Sequence, residues 1–375
     1  MTKPTNITAI VSYKIFPAKM GGQKGIAFFY QYLSQLLPVT IISTKNNEPP
    51  AALNLDLLPV LSNSKLRYAD LFLFFKLKTI LHKNKCSHLV LEHPYYGWLG
   101  ILLKRSCNIK LVVHSHNIEA LRFKSLGKSW WPILWQYEKF IYRKAAVNFF
   151  ITDVDRDFAI KNFSLDPAKC HTITYGFEIS KPPSQEEKRE AKQALQELHQ
   201  INDTEKILFF NGSLDYKPNL DAVDIILRYI NPLLLSSDLK YKIIICGKGL
   251  PAGYEELKSY ATDNIIYAGF VDDINIYFKG ADIFINPVTD GGGIKTKLVE
   301  ALGYDLSVIS TESGATGIPI DITGDKMKII ADKDWESFAK QACMPVTGSS
   351  IPQRFFDHFY WGNIAAKAAA IINRL

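Results

Sequence analysis

Short apolar runs of strand type alternate with segments of helix length along almost the whole chain, and this alternation constrains the fold more than any other feature. Ile7–Ser12, Val39–Ser43, His88–Glu92, Leu111–His114 and Asn148–Ile151 have strand character, and the stretches between them are polar or helical, beginning with Ile26–Leu36. Such strands imply a parallel sheet covered by helices on both faces. The pattern breaks at Pro182-Pro183 and the charged, helical Ser184–Gln200, then restarts. Ile207–Phe210, Lys242–Cys246, Ile265–Ala268, Ile283–Asn286 and Val308–Ser310 are the second series of strands, with helix over Asn219–Leu227 and Leu298–Leu302. A chain of 375 residues is too long for one ordinary core. The expectation is two α/β domains with a boundary near residues 176–200 and a cleft at their carboxyl edges, where strand ends and helix N-termini point.

Composition narrows the class. The hydrophobic share of 47% and charged share of 22% are ordinary for a globular chain. The five cysteines (Cys86, Cys107, Cys170, Cys246, Cys343) are scattered, odd in number and without CxxC spacing. They argue against a disulfide framework or zinc site and fit a reducing cytoplasm. Met1–Thr8 is polar and offers no secretory signal, and Leu71–Leu81 is broken by Lys76 and Lys78, so a soluble or peripheral protein is expected. Residues 1–175 carry 23 Lys and Arg against 10 Asp and Glu, whereas the remainder carries 21 against 27. The first half is therefore built to meet something anionic. No nucleic-acid recognition motif is present, which leaves an anionic membrane surface as the expected partner. Lys124–Lys144, with Trp130, Trp131, Trp135, Tyr137, Phe140 and Tyr142 among basic residues, has two readings: an interfacial helix or a helix packed in the core.

The stretch Gly291–Leu302, GGGIKTKLVEAL, carries the sharpest chemistry. Glycines let the backbone approach a ligand closely, and free N–H groups at a helix start favour an anion. Lys295 and Lys297 add positive charge, and Glu300 lies one turn inside, where a carboxylate accepts hydrogen bonds from hydroxyls. On glycine spacing alone, a flexible turn before a surface helix explains the stretch equally well. The surrounding strings shift that balance. ILFFNGSLDYKPNLDAV (207–223), GFVDDINIYFKGADIFINP (269–287) and VISTESGATGI (308–318) flank the loop in order. With it they resemble the retaining glycosyltransferases of family 4, over nearly all of residues 204–320.

That resemblance implies the GT-B fold: two Rossmann-like domains facing a cleft, residues 1–180 on the acceptor side and 181–355 on the donor side, with residues 356–375 a helix crossing back to the first. It implies that Glu300 holds the nucleotide ribose. The amides of Ile294, Lys295 and Thr296, beside Gly293 and Lys297, would face the donor phosphate and sugar. Phe270 and Val271 would contact the base through their backbone. Lys217, following Gly212 and Ser213, would neutralise the diphosphate, whose charge grows as it leaves. In the first half, Phe16-Pro17-Ala18-Lys19-Met20-Gly21-Gly22 looks like the family's first strand–helix loop, placing Gly21 and Gly22 near the phosphates. His93 matches a sugar-contacting histidine, and His116-Asn117 resembles a second histidine element. His93 and His116 join Glu300 as the candidate catalytic residues. Thr152 to Asp155 resembles a helix N-cap.

Two departures from the family pattern stand out. Gly292 occupies a position where many members carry a sugar-binding glutamate, so the donor sugar is left open. ITYGFEI (173–179) lacks the usual proline and asparagine before its glycine. The expected activity is transfer of a sugar, with retention, from a nucleoside diphosphate-sugar to a saccharide or lipid-linked acceptor in cell-surface polysaccharide or glycolipid synthesis. No cofactor and no obligatory metal are expected, and the cytoplasm or the inner face of the membrane is the expected location. A non-transferase GT-B enzyme such as a nucleotide-sugar 2-epimerase and a non-catalytic sugar- or nucleic-acid-binding protein are the alternatives.

Overall fold

The computed structural model describes residues 4–18, 21–50, 55–290 and 293–375. The chain divides into two compact units, Met1–Gly176 with Phe359–Leu375, and Phe177–His358.

In the first unit the strands are β1 (Ile7–Val11), β2 (Val39–Thr44), β3 (Asp56–Leu61), β4 (His88–Glu92), β5 (Lys110–Ser115), β6 (Val147–Phe150) and β7 (Cys170–Thr172). They pair in parallel in the order β3-β2-β1-β4-β5-β6-β7. The helices are α1 (Gly21–Leu33), α2 (Leu73–Lys83), α3 (Gly97–Cys107), α4 (Glu119–Ser125), α5 (Trp131–Lys144) and α6 (Asp153–Phe163). Every residue of β1, β2 and β4 is buried, which is why these strands read as continuous apolar runs without alternation: both sheet faces are covered. One face carries a core into which α2, α3, α5 and α6 send Leu77, Leu99, Ile141 and Phe163. Elsewhere in the unit α1 packs on the C-terminal helix, with Phe29 and Tyr175 both against Trp361 at ring separations of 6.5 and 5.5 Å.

The second unit repeats the design with β8 (Lys206–Asn211), β9 (Tyr241–Cys246), β10 (Ile265–Gly269), β11 (Ile283–Asn286), β12 (Ser307–Thr311) and β13 (Met327–Ile330). Their parallel order is β10-β9-β8-β11-β12-β13. Its helices are α7 (Gln185–His199), α8 (Lys217–Ile225), α9 (Asn231–Leu235), α10 (Ile274–Gly280), α11 (Thr296–Gly303), α12 (Trp335–Cys343) and α13 (Gln353–Phe359); the last helix, α14 (Trp361–Ile372), belongs to the first unit. In each unit the first strand lies beside the fourth. The chain therefore reverses its direction of travel across the sheet at β1/β4 and at β8/β11, and the loops there part to leave a crevice.

Local chemistry sets the helix starts. Thr152 accepts the Asp155 N–H at 3.0 Å, the N-cap its sequence position suggests. Ser184 and Glu187 form a reciprocal capping box that opens α7. Three strands escape a reading of the sequence: β3, β7 and β13. β3 contains Pro59 and β13 has two exposed residues; both lie at sheet edges, where a missing donor and incomplete burial are tolerated. β7 has only three residues. The helix expected over 356–375 is two helices, because Tyr360 takes an extended conformation between them. Among the described residues no helix is long and apolar enough to cross a membrane.

Gly97 shows how closely the first unit packs. A Cβ there would lie 2.4 Å from Cδ1 and Cγ1 of Ile141 on α5. Gly97→Ala is expected to cost about 1–3 kcal/mol through overpacking. The measurement is urea unfolding, where the midpoint should fall with an unchanged slope.

Candidate active site

The carboxyl edge of the second sheet is rich in glycine and polar strand ends. The Gly212 N–H bonds to the Cys246 carbonyl at 3.1 Å, and the Gly247 N–H to the Gly269 carbonyl at 2.7 Å. A side chain on Gly247 would meet the Gly212 carbonyl oxygen at 1.9 Å, so glycine is required for the loops after β8 and β9 to approach. Asn211, the last residue of β8, has its Oδ1 buried without a hydrogen-bond partner among the described residues. The Gly269–Phe270 turn follows β10, with Phe270 65% exposed and Val271 partly buried.

Across the switch point, the loop after β11 leads into α11. Gly291 and Gly292 lie outside the described residues. Gly293 has φ +70°, a left-handed conformation that glycine adopts without penalty. Ile294 and Lys295 follow, the Lys295 ammonium donates to the Gly293 carbonyl at 3.2 Å, and α11 starts at Thr296. The Lys297 ammonium reaches back to β8, to the Asn211 carbonyl at 3.3 Å and to Asn219 Oδ1 at 3.0 Å, over the Phe210 ring at 4.3 Å. Asn219 in turn donates to the Ser213 carbonyl at 2.9 Å, tying the 211–213 loop to α8. Burial, reinforced by Lys295, pushes Lys297 down to about 7. Burial also pushes Lys295 down, to about 8, against the attraction of Asp290. Glu300 is partly buried on α11, one turn beyond Thr296.

The structure brings Gly212, Ser213 and Lys297 together, with Lys297 contiguous to Gly293, Ile294, Lys295 and Thr296. Lys217 opens α8. That side chain is 80% exposed and pairs with Asp221 one turn along α8. The lysine that reaches the end of β8 is Lys297, with Asn219 as its holder; the 207–223 stretch contained Asn219, but nothing in its spacing announced the contact.

In the first unit, charge is gathered at the ends of β4 and β5. Glu92 is fully buried, and its Oε1 accepts Tyr30 OH at 2.6 Å and His114 Nδ1 at 3.1 Å. Its Oε2 accepts His116 Nε2 at 2.7 Å. Burial alone would raise this carboxyl; the two histidines outweigh it and hold Glu92 far below the ordinary carboxylate range. His116 is pushed down to about 4 by burial, with His93 and His114 adding to it and the Glu92 bond opposing it. At neutral pH His116 is an uncharged imidazole that donates Nε2–H to Glu92 and keeps Nδ1 as an acceptor.

His93 sits at the other switch point. Its φ of 65° and ψ of 158° fall in a region that residues with side chains rarely occupy, and such conformations concentrate at functional sites. Its N–H bonds to the His114 carbonyl at 2.9 Å. The ring lies 4.7 Å from His116, stacks on Tyr95 at 5.4 Å, and places Nε2 3.2 Å from Tyr13 OH on the loop after β1. Nδ1 is 3.1 Å from Glu119 Oε1, within ion-pair range though not aligned as a hydrogen bond. Glu119 also accepts Tyr95 OH at 2.7 Å and Arg122 Nη1 at 3.1 Å. Its own N–H and that of Ala120 donate to the buried Glu138 at 3.0 and 2.8 Å, which fixes the start of α4.

The two histidines singled out from the sequence therefore stand side by side. Gly21 and Gly22 open α1 and do not lie in the preceding loop; Lys19 and Met20 are outside the described residues. Glu92, Glu119, Glu138 and Tyr13 are the members that sequence reasoning passed over. A charged residue closing an apolar strand, as Glu92 does, is the one signal that pointed to them. Glu92, His114 and His116 offer three ligand atoms within 4.8 Å of one another, a grouping with metal-site character. Their nitrogen–oxygen separations of 2.7 and 3.1 Å are those of hydrogen bonds. Ligands on a tetrahedral ion with bonds of about 2.0–2.1 Å sit roughly 3.3 Å apart.

Residues 205–344 match the family described as "Glycosyl transferases group 1", and residues 21–181 match "Glycosyltransferase Family 4". The chain belongs to the family 4, group 1 glycosyltransferases. The fold is GT-B. A glycosyltransferase structure from Rickettsia africae superposes with a TM-score of 0.73 at 14% identity, covering 100% of this chain and 99% of that one. Anabaena HepE in complex with UDP and glucose superposes with a TM-score of 0.70 at 13% identity, covering 99% and 100%. An uncharacterized glycosyltransferase of Methanocaldococcus jannaschii is 28% identical over 191 residues, 49% of this chain and 45% of the relative. The alignments span less than half the length of the curated relatives they match.

Glu138 gives the glycosyltransferase a pH signature. Burial, opposed by its two backbone donors, raises its pKa from 4.5 to about 7. The folded state then holds a proton that the unfolded chain has released, so the contribution is present below 4.5 and lost as pH rises toward 7. Relative to Glu138→Gln, the wild type is expected to lose roughly 3 kcal/mol of stability over that interval. Paired denaturation curves across the pH range give the difference.

Proposed function

We propose that this glycosyltransferase moves a sugar from a nucleoside diphosphate-sugar to a saccharide or lipid-linked acceptor, with retention of configuration and without an obligatory metal. The observation that carries the reading is Lys297, a partly buried cation at the β8/β11 switch point whose hydrogen bonds go only to neutral oxygens among the described residues. With Lys295 and the start of α11 it forms a receptor for a diphosphate. Glu300 would take the ribose hydroxyls, and the Gly269–Val271 turn the base. HepE, similar in fold, is seen with UDP and glucose, which supports this assignment.

On the acceptor side, His116 offers an oriented neutral imidazole and His93 a second ring beside it. Both are suited to hydrogen bonds with sugar hydroxyls. The acceptor oxygen bonds to the anomeric carbon on the face from which the phosphate oxygen departs. The carbon–phosphate-oxygen bond breaks, its electron pair stays with the diphosphate, and the acceptor proton passes to that oxygen. Two lysines at the diphosphate stabilise the growing charge, the part that a metal plays elsewhere. The reading places the enzyme in cell-surface polysaccharide or glycolipid synthesis, at the cytoplasmic side of the membrane.

The test is a panel of nucleoside diphosphates and their sugars, first by thermal shift and then by product NMR. A matched donor should raise the melting temperature, and product should form with the anomeric configuration of the donor in the presence of EDTA. Rapid epimer formation without acceptor would overturn the reading. Glu300→Ala should weaken nucleotide binding at least tenfold, whereas Lys297→Met should lower kcat/KM by about 10²–10³. The lysine pKa values predict a pH effect as well. Binding a diphosphate requires charged ammonium groups, whose free values lie at about 7 and about 8. Affinity should fall as pH rises through that range, and calorimetry in buffers of different ionisation enthalpy should show proton uptake on binding.

A further inference from the structure

We infer that the outer surface of the helical layer on the first unit, centred on Leu71, Phe72 and Phe75, docks on an anionic lipid surface. α2 is apolar on two sides. Leu73, Leu77 and Leu81 are buried in the core. Just before α2 and on its outward side, Leu71, Phe72 and Phe75 are 70%, 83% and 67% exposed, and Leu66 on the preceding turn is 80% exposed. Four large apolar side chains left in water within ten residues are a surface that lacks its partner.

The neighbouring helices extend it. α3 exposes Leu102, and α5 exposes Ile133 and Phe140, while their inner residues Leu99, Leu103, Ile141 and Tyr142 join the same core as α2. The aromatic stretch 124–144 is thus divided. Trp135 packs edge-on against Phe158 and Phe163, and Tyr137 is hydrogen-bonded to the Tyr95 carbonyl. Only part of that stretch faces outward, and the larger exposed apolar cluster is at 66–75.

Charge identifies the occupant. Residues 62–85 hold Lys65, Arg67, Lys76, Lys78, Lys83 and Lys85 against Asp70 alone. Burial sharpens this balance: of the ten acidic residues in 1–175, Glu92, Glu119 and Glu138 are fully buried and contribute nothing to the surface. Protein interface cores are depleted in lysine, so lysines interleaved with a protruding apolar cluster are unlike a dimer contact. At a bilayer the same pattern fits: aromatic and leucine side chains enter the acyl boundary while ammonium groups meet anionic head groups.

The inference goes beyond sugar transfer and does not depend on it, because binding is read without donor or acceptor. The full chain is floated with vesicles of phosphatidylcholine containing about a third phosphatidylglycerol, and with phosphatidylcholine alone. Binding to the anionic vesicles should be at least tenfold tighter and should weaken with salt. Phe72→Ser with Phe75→Ser should reduce it at least tenfold, and Lys76→Glu with Lys83→Glu should abolish the preference for anionic lipid. All four substitutions are at exposed positions, so unchanged melting curves will verify the fold. Wild-type binding retained by the Phe72/Phe75 variant would overturn the inference. So would loss of binding confined to an Ile133→Ser, Phe140→Ser variant. A wild-type dimer that the Phe72/Phe75 changes convert to monomer would assign the surface to a second copy and overturn it as well.

Discussion

A parallel sheet imposes one condition from which most of this molecule follows. Each strand must be reached by a crossover from the far end of its predecessor, so all carboxyl ends collect at a single edge. When the chain starts in the middle of a sheet and travels first one way and then the other, the two loops at the starting point diverge. Both units do this, at β1/β4 and at β8/β11. The residues with unusual chemistry stand beside these two points. Tyr13 after β1 meets His93 after β4, and Asn211 at the end of β8 meets Lys297 beyond β11. The topology brings together residues 80 or more positions apart, and neither contact needs a special local sequence to form.

The buried carboxylates of the first unit belong to the cost of such a site. Glu92, Glu119 and Glu138 are each 1% exposed or less. An uncompensated buried charge would destabilise the fold severely. Glu92 is compensated by three donors, Glu119 by Tyr95, Arg122 and the proximity of His93, and Glu138 by two backbone N–H groups and Tyr142. The first two are held ionised by their partners. Glu138, whose main partners are uncharged, is raised. The same network has His116 donate from Nε2 and keep Nδ1 as an acceptor, whereas both ring nitrogens of His114 face oxygens, Glu92 Oε1 at 3.1 Å and the Ile173 carbonyl at 3.4 Å.

Much of this was legible in the sequence because it follows from periodicity and loop chemistry. The continuous apolar runs of β1, β4, β8 and β9, the break at Pro182-Pro183, and the helix start at Thr296 all carry local signatures. The pairing of His93 with His116 was legible too, since each closes a strand and adjacent strands end together. What the sequence withheld was of a different kind. β3 lies at an edge and tolerates Pro59, so it lacks the pattern of a central strand. Lys217 and Lys297 look alike as lysines near glycine-rich loops; only the distance of each ammonium from Asp221 or Asn211 separates a surface pair from a partly buried cation. The exposure of Phe72 and Phe75 was hidden for the same reason, because a run of Leu and Phe reads identically whether one face of the helix or both are covered.

The two sites resolve buried charge in opposite ways, and the contrast bears on what each awaits. Lys326 shows what a structural lysine looks like in this chain: buried, with its ammonium 3.1 Å from Asp305 Oδ1 and 3.0 Å from the Asp305 carbonyl. Lys297 is partly buried, but its partners are an amide oxygen and a backbone carbonyl, its charged neighbour is Lys295, and its pKa falls to about 7. A fold with no use for that cation would be more stable with an apolar residue or a carboxylate beside it. Among the described residues the Lys297 hydrogen bonds go to neutral oxygens, and the diphosphate of the proposed reading would supply the missing negative charge. The first unit, by contrast, completes its own buried charges and leaves His116 Nδ1 as an acceptor. Under the proposed reading, the Lys297 side would suit a diphosphate and the His116 Nδ1 acceptor a sugar hydroxyl.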